Sequence, residues 1–164
     1  MTGVQTCALP IFTANPFGPG DNFDPEDAHV IGALMTKMQR ANSEGSGVVE
    51  IWGTGSPRRD FIYIDDLATA AVWIMERYSA DHPINLTAGT DISIQALART
   101  IAEVVGFRGE LRFDATRPDG MPLKILDPRA LAALGWRPRV SLREALDATF
   151  AWTRRAPAGE IHAV

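Results

Sequence analysis

Ile51-Trp52-Gly53-Thr54-Gly55-Ser56-Pro57-Arg58-Arg59-Asp60-Phe61-Ile62-Tyr63-Ile64-Asp65-Asp66-Leu67 is the stretch whose reading decides the fold. It reads as the end of a strand, a glycine turn, paired arginines, a second strand and the start of a helix. Alternation along the second strand, extended back to the arginines, puts Arg59, Phe61 and Tyr63 on one face and Arg58 on the other. A guanidinium is a planar fork of donors, and phosphate oxygens accept it in bidentate fashion. The arrangement therefore suits the holding of a diphosphate.

Outward from this stretch the punctuation gives a mixed α/β chain. Pro16, Gly18, Pro19 and Gly20 mark residues 12–23 as a loop. Asp24 followed by Pro25 predicts a helix over 24–41, with Val30, Leu34, Met35 and Met38 on one face. Strands are predicted over 48–52, 60–64, 83–86 and 110–113. Asp65 or Asp66 is expected to cap a helix over 67–78. Ser93 and Gly106 bracket a third helix. Residues 128–134 form a short helix stopped by Gly135, and Ser141 caps a last one reaching about Arg154. The strands are too few and too short for a complete twisted sheet, so some are expected to pair with a sheet supplied from outside these residues.

Composition excludes several classes. With 164 residues, 46% hydrophobic and 22% charged, the chain has the makings of one globular domain with a core. A net charge of −4 does not mark a general nucleic-acid binder. No stretch approaches 18 apolar residues, so no membrane span is expected. The single Cys7 cannot form an internal disulfide, which fits a cytoplasmic protein. One cysteine and three scattered histidines give no metal spacing. Asn85-Leu86-Thr87 matches a glycosylation acceptor by chance. Residues 1–11 resemble a translated sequencing-adapter string and are expected to be non-native. Residues 12–156 then form the functional portion, and 157–164 a frayed tail.

Dinucleotide chemistry lacks its usual marks. Gly18/Gly20, Gly45/Gly47 and Gly53/Gly55 are the Gly-x-Gly pairs, but the place of a third glycine holds Phe23, Glu50 and Arg58. Tyr63 and Tyr78 are followed four residues later by Leu67 and His82, so no Tyr-x-x-x-Lys occurs.

Four blocks carry a family resemblance. They are Asn15-Pro16-Phe17-Gly18-Pro19-Gly20-Asp21-Asn22-Phe23, then His29-Val30-Ile31, then Trp52 to Phe61 with Asp65-Asp66-Leu67, then Arg117-Pro118-Asp119-Gly120-Met121-Pro122-Leu123-Lys124. Over residues 14–152 the chain resembles the C-terminal portion of the GDP-L-fucose synthase family, within the extended short-chain dehydrogenases/reductases. The third block is common to many nucleotide-sugar epimerases and dehydratases; the others point to the fucose synthase branch.

The resemblance implies an α/β fold: the substrate-binding part of an extended Rossmann-type reductase, lacking the N-terminal dinucleotide-binding half. It implies 3,5-epimerisation and NADPH-dependent 4-reduction of GDP-4-keto-6-deoxymannose in the whole enzyme, and no activity in this chain alone. His29 becomes the general acid of the epimerisation, a role imidazole suits. It is expected in the first turns of its helix, with Lys37 eight residues on and roughly on the same face. Lys37, Trp52, Arg59, Asp119 and Lys124 become GDP-sugar contacts. For Trp52 a plain core position, and for Lys37 and Asp119 a solvated one, stay open. Thr13, Ala14, Asn15, Pro16 and His29 become contacts to NADP, most of which the absent half would hold. The family pattern near Asn15 is closer to Pro-Thr-Asn-Leu-Tyr-Gly-Pro, and this chain departs from it at Thr13, Ala14, Pro16 and Phe17. The whole enzyme is expected to be a homodimer. Another nucleotide-sugar epimerase or dehydratase, or a non-catalytic nucleotide-sugar-binding module, is the alternative.

Overall fold

A computed structural model describes residues 10–24 and 27–156. In chain order the elements are β1 (Ile11–Thr13), β2 (Asn15–Phe17), α1 (Val30–Glu44), β3 (Val48–Trp52), β4 (Arg58–Tyr63), α2 (Ile64–Arg77), β5 (Ile84–Leu86), β6 (Asp91–Ser93), α3 (Ile94–Val105), β7 (Glu110–Asp114), β8 (Leu123–Lys124), α4 (Arg129–Ala133) and α5 (Leu142–Thr153). β1 pairs parallel with β5, and β3 parallel with β7. β4 organises the third sheet: β2 and β8 run parallel to it, and β6 antiparallel.

Two apolar clusters hold these layers. Met35 and Met38 of α1, Leu97 and Ile101 of α3, Leu146 of α5 and Ile51 of β3 share one. Ile62, Ala70, Ile74, Ile84, Leu86 and Trp136 form the other, between α2, α4 and the β1–β5 pair. α3 is the most strongly two-faced helix. Leu97, Ala98, Ile101, Ala102 and Val105 recur at helical spacing and are buried, as an amphipathic helix requires. The Ser93 hydroxyl accepts from the Ala96 amide, and Gly106 ends the helix at φ 74°.

The structure corrects several expectations. Residues 12–23 are not all loop, because most of β1 and all of β2 lie there. Their hydrogen-bond partners are β5 and β4, far away in sequence, so local turn chemistry does not reveal them. Pro16 is tolerated because β2 is the outer strand of the order β2-β4-β6. Asp24 does not cap α1. Asn22 Oδ1 accepts the Asp24 amide at 2.8 Å in an Asx turn, and the Ala28 amide reaches Asp24 O at 2.9 Å in one isolated turn. Pro25 and Glu26 lie outside the described residues. The helix starts only at Val30, with His29 as N-cap. Gly32 allows the loop to fold back on it, since a Cβ there would stand 2.5 Å from Asn22 O.

Neither Asp65 nor Asp66 is an N-cap. α2 begins at Ile64 after Tyr63, with both acids in its first turn, and Asp66 is used elsewhere. β6 and β8, absent from the sequence reading, are two- and three-residue strands set by pairing with β4. The expectations for residues 1–9 and for the tail lie outside the described residues. Ile11 belongs to β1, opposite Ile84. The acceptor-like Asn85-Leu86-Thr87 is structural: Asn85 donates to Asp127 O, and the buried Thr87 hydroxyl donates to Asp60.

Candidate functional site

A cleft of about 520 Å³ opens where β2, β3, β4, β8 and α1 converge. Each element presents one end or face to it. Asn15 opens β2, Trp52 closes β3, Arg59 lies early in β4, and Lys124 closes β8. His29 is the N-cap of α1, and Lys37 stands two turns further on. His29 has extended backbone, φ −65° and ψ 165°, and its exposed side chain makes no cap hydrogen bond. It precedes the helix instead of lying in its first turns, because the Asx turn delays the helix start.

The cleft floor is apolar, built from Ile31, Leu34, Ile51 and Phe61, whereas its walls carry charge. Lys37, Arg59 and Lys124 are the lysines and arginine of the lining, against the single carboxylate of Asp21. A local excess of cations in a chain of net charge −4 is the field an anion needs. Arg59 Nη1 donates to Arg58 O at 2.8 Å and to Met121 O at 2.6 Å, which holds the guanidinium at the cleft edge. Arg58 turns the other way, as strand alternation requires. Its Nε bonds Asp91 Oδ2, and its Nη2 donates to Asp91 O at 3.1 Å.

Trp52 is 64% exposed, which rules out the core reading of this residue. It follows the buried Ile51 at the end of β3, and both line the cleft, Ile51 in its floor and the exposed indole in its wall. Lys37 Nζ lies 5.9 Å from its ring centroid and the Arg117 guanidinium carbon 5.0 Å, both within cation–π reach. Lys37 Nζ also contacts Glu50 O at 3.5 Å.

The remaining sequence-derived candidates are placed differently. Asn15 and Pro16 line the cleft, but Thr13 and Ala14 do not. Thr13 pairs with Leu86 in the β1–β5 ladder, and the buried Ala14 donates its amide to Leu86 O. Asn15 Nδ2 donates to Asp60 O at 2.6 Å, which fixes its side chain against β4. Asp119 does not line the cleft, since both its carboxylate oxygens accept from Thr54. Sequence reasoning gave no role to Asp21, Thr54 or Arg117, although all three stand inside quoted blocks. A second cavity of about 340 Å³, mainly apolar, lies behind Phe17 and Phe61 and includes Tyr63. Burial and the nearby Asp65 and Asp66 push the Tyr63 phenol up, away from proton transfer near neutral pH.

Residues 3–89 match the NAD dependent epimerase/dehydratase family. The chain belongs to that family. GDP-L-fucose synthase 1 of Arabidopsis thaliana is 43% identical over 93% of this chain and 50% of its own length. GDP-L-fucose synthase of Escherichia coli K12 is 40% identical over 87% of this chain and 47% of its own. Among solved structures, a GDP-L-fucose synthetase from Naegleria fowleri bound to NADP superposes with a TM-score of 0.83 at 30% identity. That match covers 90% of this chain and 46% of the other. The chain therefore spans about half the length of the curated relatives it matches.

The parallel pairing of β1 with β5 agrees with the Rossmann-type fold of that family. Among the described residues no three His, Cys, Asp or Glu side chains gather as a metal site, and no helix is long and apolar enough to cross a membrane.

Proposed function

We propose that this chain is the nucleotide-sugar-binding, C-terminal part of a cytoplasmic GDP-L-fucose synthase. The whole enzyme would convert GDP-4-keto-6-deoxy-D-mannose to GDP-L-fucose by 3,5-epimerisation and NADPH-dependent 4-reduction. One observation carries the reading: His29 shares a single cleft with Lys37, Trp52, Arg59 and Lys124. A titratable imidazole thus stands beside a cationic, aromatic-walled diphosphate site.

Each residue has a defined task. Arg59 and Lys124 hold the diphosphate, Arg59 through its fork of donors. Trp52 covers base or sugar with its indole face, and Lys37 adds charge beside it. His29 returns a proton to carbon next to the ketone during epimerisation, and a second group outside this chain removes one. Asn15, Pro16 and His29 fit contact with the nicotinamide end of NADP, because they meet at the cleft. Thr13 and Ala14, tied into the β1–β5 ladder, contribute backbone shape there. The cofactor supplies hydride for the reduction. In the whole enzyme, the half that this chain does not span would supply the rest of the dinucleotide site. The homodimer proposed for the whole enzyme would likewise rest on elements outside this chain.

Calorimetric titration of the chain with GDP and UDP tests the reading. GDP is expected to bind more tightly than UDP. Incubation with GDP-4-keto-6-deoxymannose and NADPH is expected to give no product. A preference for UDP would point to another nucleotide-sugar epimerase, and turnover by the chain alone would refute its proposed dependence on a second half.

A further inference from the structure

Asp60 is a carboxyl group set among apolar side chains, and only 2% of it is exposed. Strand alternation puts it on the face of β4 that carries Ile62, away from Arg59 and Phe61. Ile62 packs there with Leu86 and Leu126. Burying an ionisable group in an apolar cluster costs free energy that a hydrophobic side chain of similar volume would not. Its contacts reach three segments that meet at the cleft. Oδ2 accepts the Thr87 hydroxyl at 2.5 Å and the Leu126 amide at 3.3 Å. The backbone carbonyl accepts from Asn15 Nδ2 at 2.6 Å. Thr87 follows β5, Asn15 opens β2, and Leu126 comes two residues after Lys124. Oδ1 is buried with no partner among the described residues, so Oδ2 carries the side-chain contacts.

The segment around Lys124 has little packing of its own. Residues 121–125 are all exposed, and Leu126 is the first to turn partly inward. On the N-terminal side Pro122 O accepts the Arg58 amide at 2.9 Å, and β8 pairs with β4 so that Lys124 stands across from Arg59. On the C-terminal side the Leu126 amide reaches Asp60, and Asp127 O accepts from Asn85 Nδ2 at 3.2 Å. Lys124 is thus fixed from both directions, and the Leu126 anchor joins it to the residue next to Arg59.

We infer that Asp60 is a positioning residue: from the buried side of β4 it anchors the segment carrying Lys124, through the Leu126 amide, and so presets Lys124 across from Arg59 for a nucleoside diphosphate. The ligand class rests on the function proposed above; the anchor does not. Asp60 is no part of the cleft lining and acts through Lys124.

The test titrates GDP into the 164-residue chain and its variants. Asp60→Asn keeps an acceptor oxygen for Thr87 and Leu126 and is expected to bind GDP as the parent does. A double variant, Asp60→Leu with Thr87→Val, exchanges the buried polar pair for apolar side chains and is expected to keep the fold. It leaves the Leu126 amide without its acceptor. GDP is expected to bind it about fivefold more weakly, the size of one exposed charge–phosphate contact. That loss is expected to vanish when Lys124→Ala is already present and to persist beside Lys37→Ala. An equal loss in both backgrounds would show a general effect on the cleft and overturn the inference, as would parent affinity in the double variant. Hydrogen exchange of the Leu126 amide, read by NMR without ligand, tests the anchor independently. Exchange is expected to be slow in the parent and in Asp60→Asn, and fast in the double variant. Fast exchange in the parent, a reading that needs no variant to fold, would overturn the inference. Failure of the parent chain to bind GDP would instead count against the proposed function, with Leu126 exchange still deciding the anchor.

Discussion

Asp66 fastens α2 to the segment that leads into α5: its two carboxylate oxygens accept the Arg139 amide at 3.1 Å each, and one accepts the Val140 amide at 3.2 Å. Asp66 is only 3% exposed, and the residues it joins are 73 and 74 positions apart. An acidic pair at a helix start invites a capping or catalytic reading, but the acceptors here satisfy backbone donors of a distant loop.

Removing that carboxylate should therefore act on stability. Asp66→Ala leaves two amides short of their acceptor, a loss of about 1–3 kcal/mol. Urea unfolding would show the lowered midpoint. Asp66→Asn keeps one acceptor oxygen and is expected to fall between the parent and Asp66→Ala. GDP affinity of the folded variants should be unchanged, because Asp66 is outside the cleft lining.

Asp60 predicts a pH dependence of the opposite sense from most carboxylates. It is buried beside Arg59, with Oδ2 accepting from Thr87 and from the Leu126 amide at 3.3 Å, while Oδ1 has no partner among the described residues. Burial raises its pKa, more than those hydrogen bonds lower it. With the folded value above the unfolded one, its contribution is fully present below the unfolded pKa of about 4. It is lost as pH rises through the raised folded value. Asp60→Asn removes the charge and offers an amide in place of the unpartnered oxygen. Thermal melts from pH 4 upward should show the variant gaining on the parent as pH rises. A constant difference across that window would refute the assignment.

The α5 cap gives the contrasting case. Ser141 and Glu144 form a reciprocal capping box, in which the serine hydroxyl accepts the Glu144 amide and Glu144 accepts the Ser141 amide at 2.9 Å. Ser141→Ala is expected to cost about 1 kcal/mol in chemical unfolding. The hydrogen bonds from Ser141 hold the Glu144 carboxyl below its ordinary range. Its contribution is present above the unfolded pKa and is lost as pH falls through the lowered one. Glu144→Gln should accordingly flatten the acid limb of the stability profile, which melts below pH 5 would reveal.

Legibility in the sequence tracked how local each cause is. β3, α3 and α5 could be read because alternation, the Ser93 and Ser141 caps and the Gly106 stop all act within a few residues. β1, β2, β6 and β8 could not, because two- and three-residue strands are defined by partners elsewhere. The same division runs through the site. The alternation that set Arg59 apart from Arg58 holds, since Arg58 goes to Asp91 and Arg59 to the cleft edge. The motif blocks located His29, Trp52 and Lys124, and the family resemblance with its eight-residue spacing from His29 located Lys37; the fold brings the four together. Asp119 was legible as a residue but not as a contact, because its partner Thr54 is 65 positions away.

Arg59 offers the most direct test of the cleft as an anion site. Arg59→Lys keeps the charge but loses the planar fork and the hold on Met121 O. It should weaken GDP about tenfold, as expected for one bidentate charge-assisted contact. Arg59→Ala should weaken it further, and both should bind guanosine, which lacks the diphosphate, as the parent does. The parent's GDP affinity should also fall with added salt, more steeply than that of Arg59→Ala, because one fewer cation then faces the ligand. Titrations at two ionic strengths separate these effects. Equal salt dependence in the parent and Arg59→Ala would place the diphosphate away from Arg59 and leave Lys37 and Lys124 as its holders.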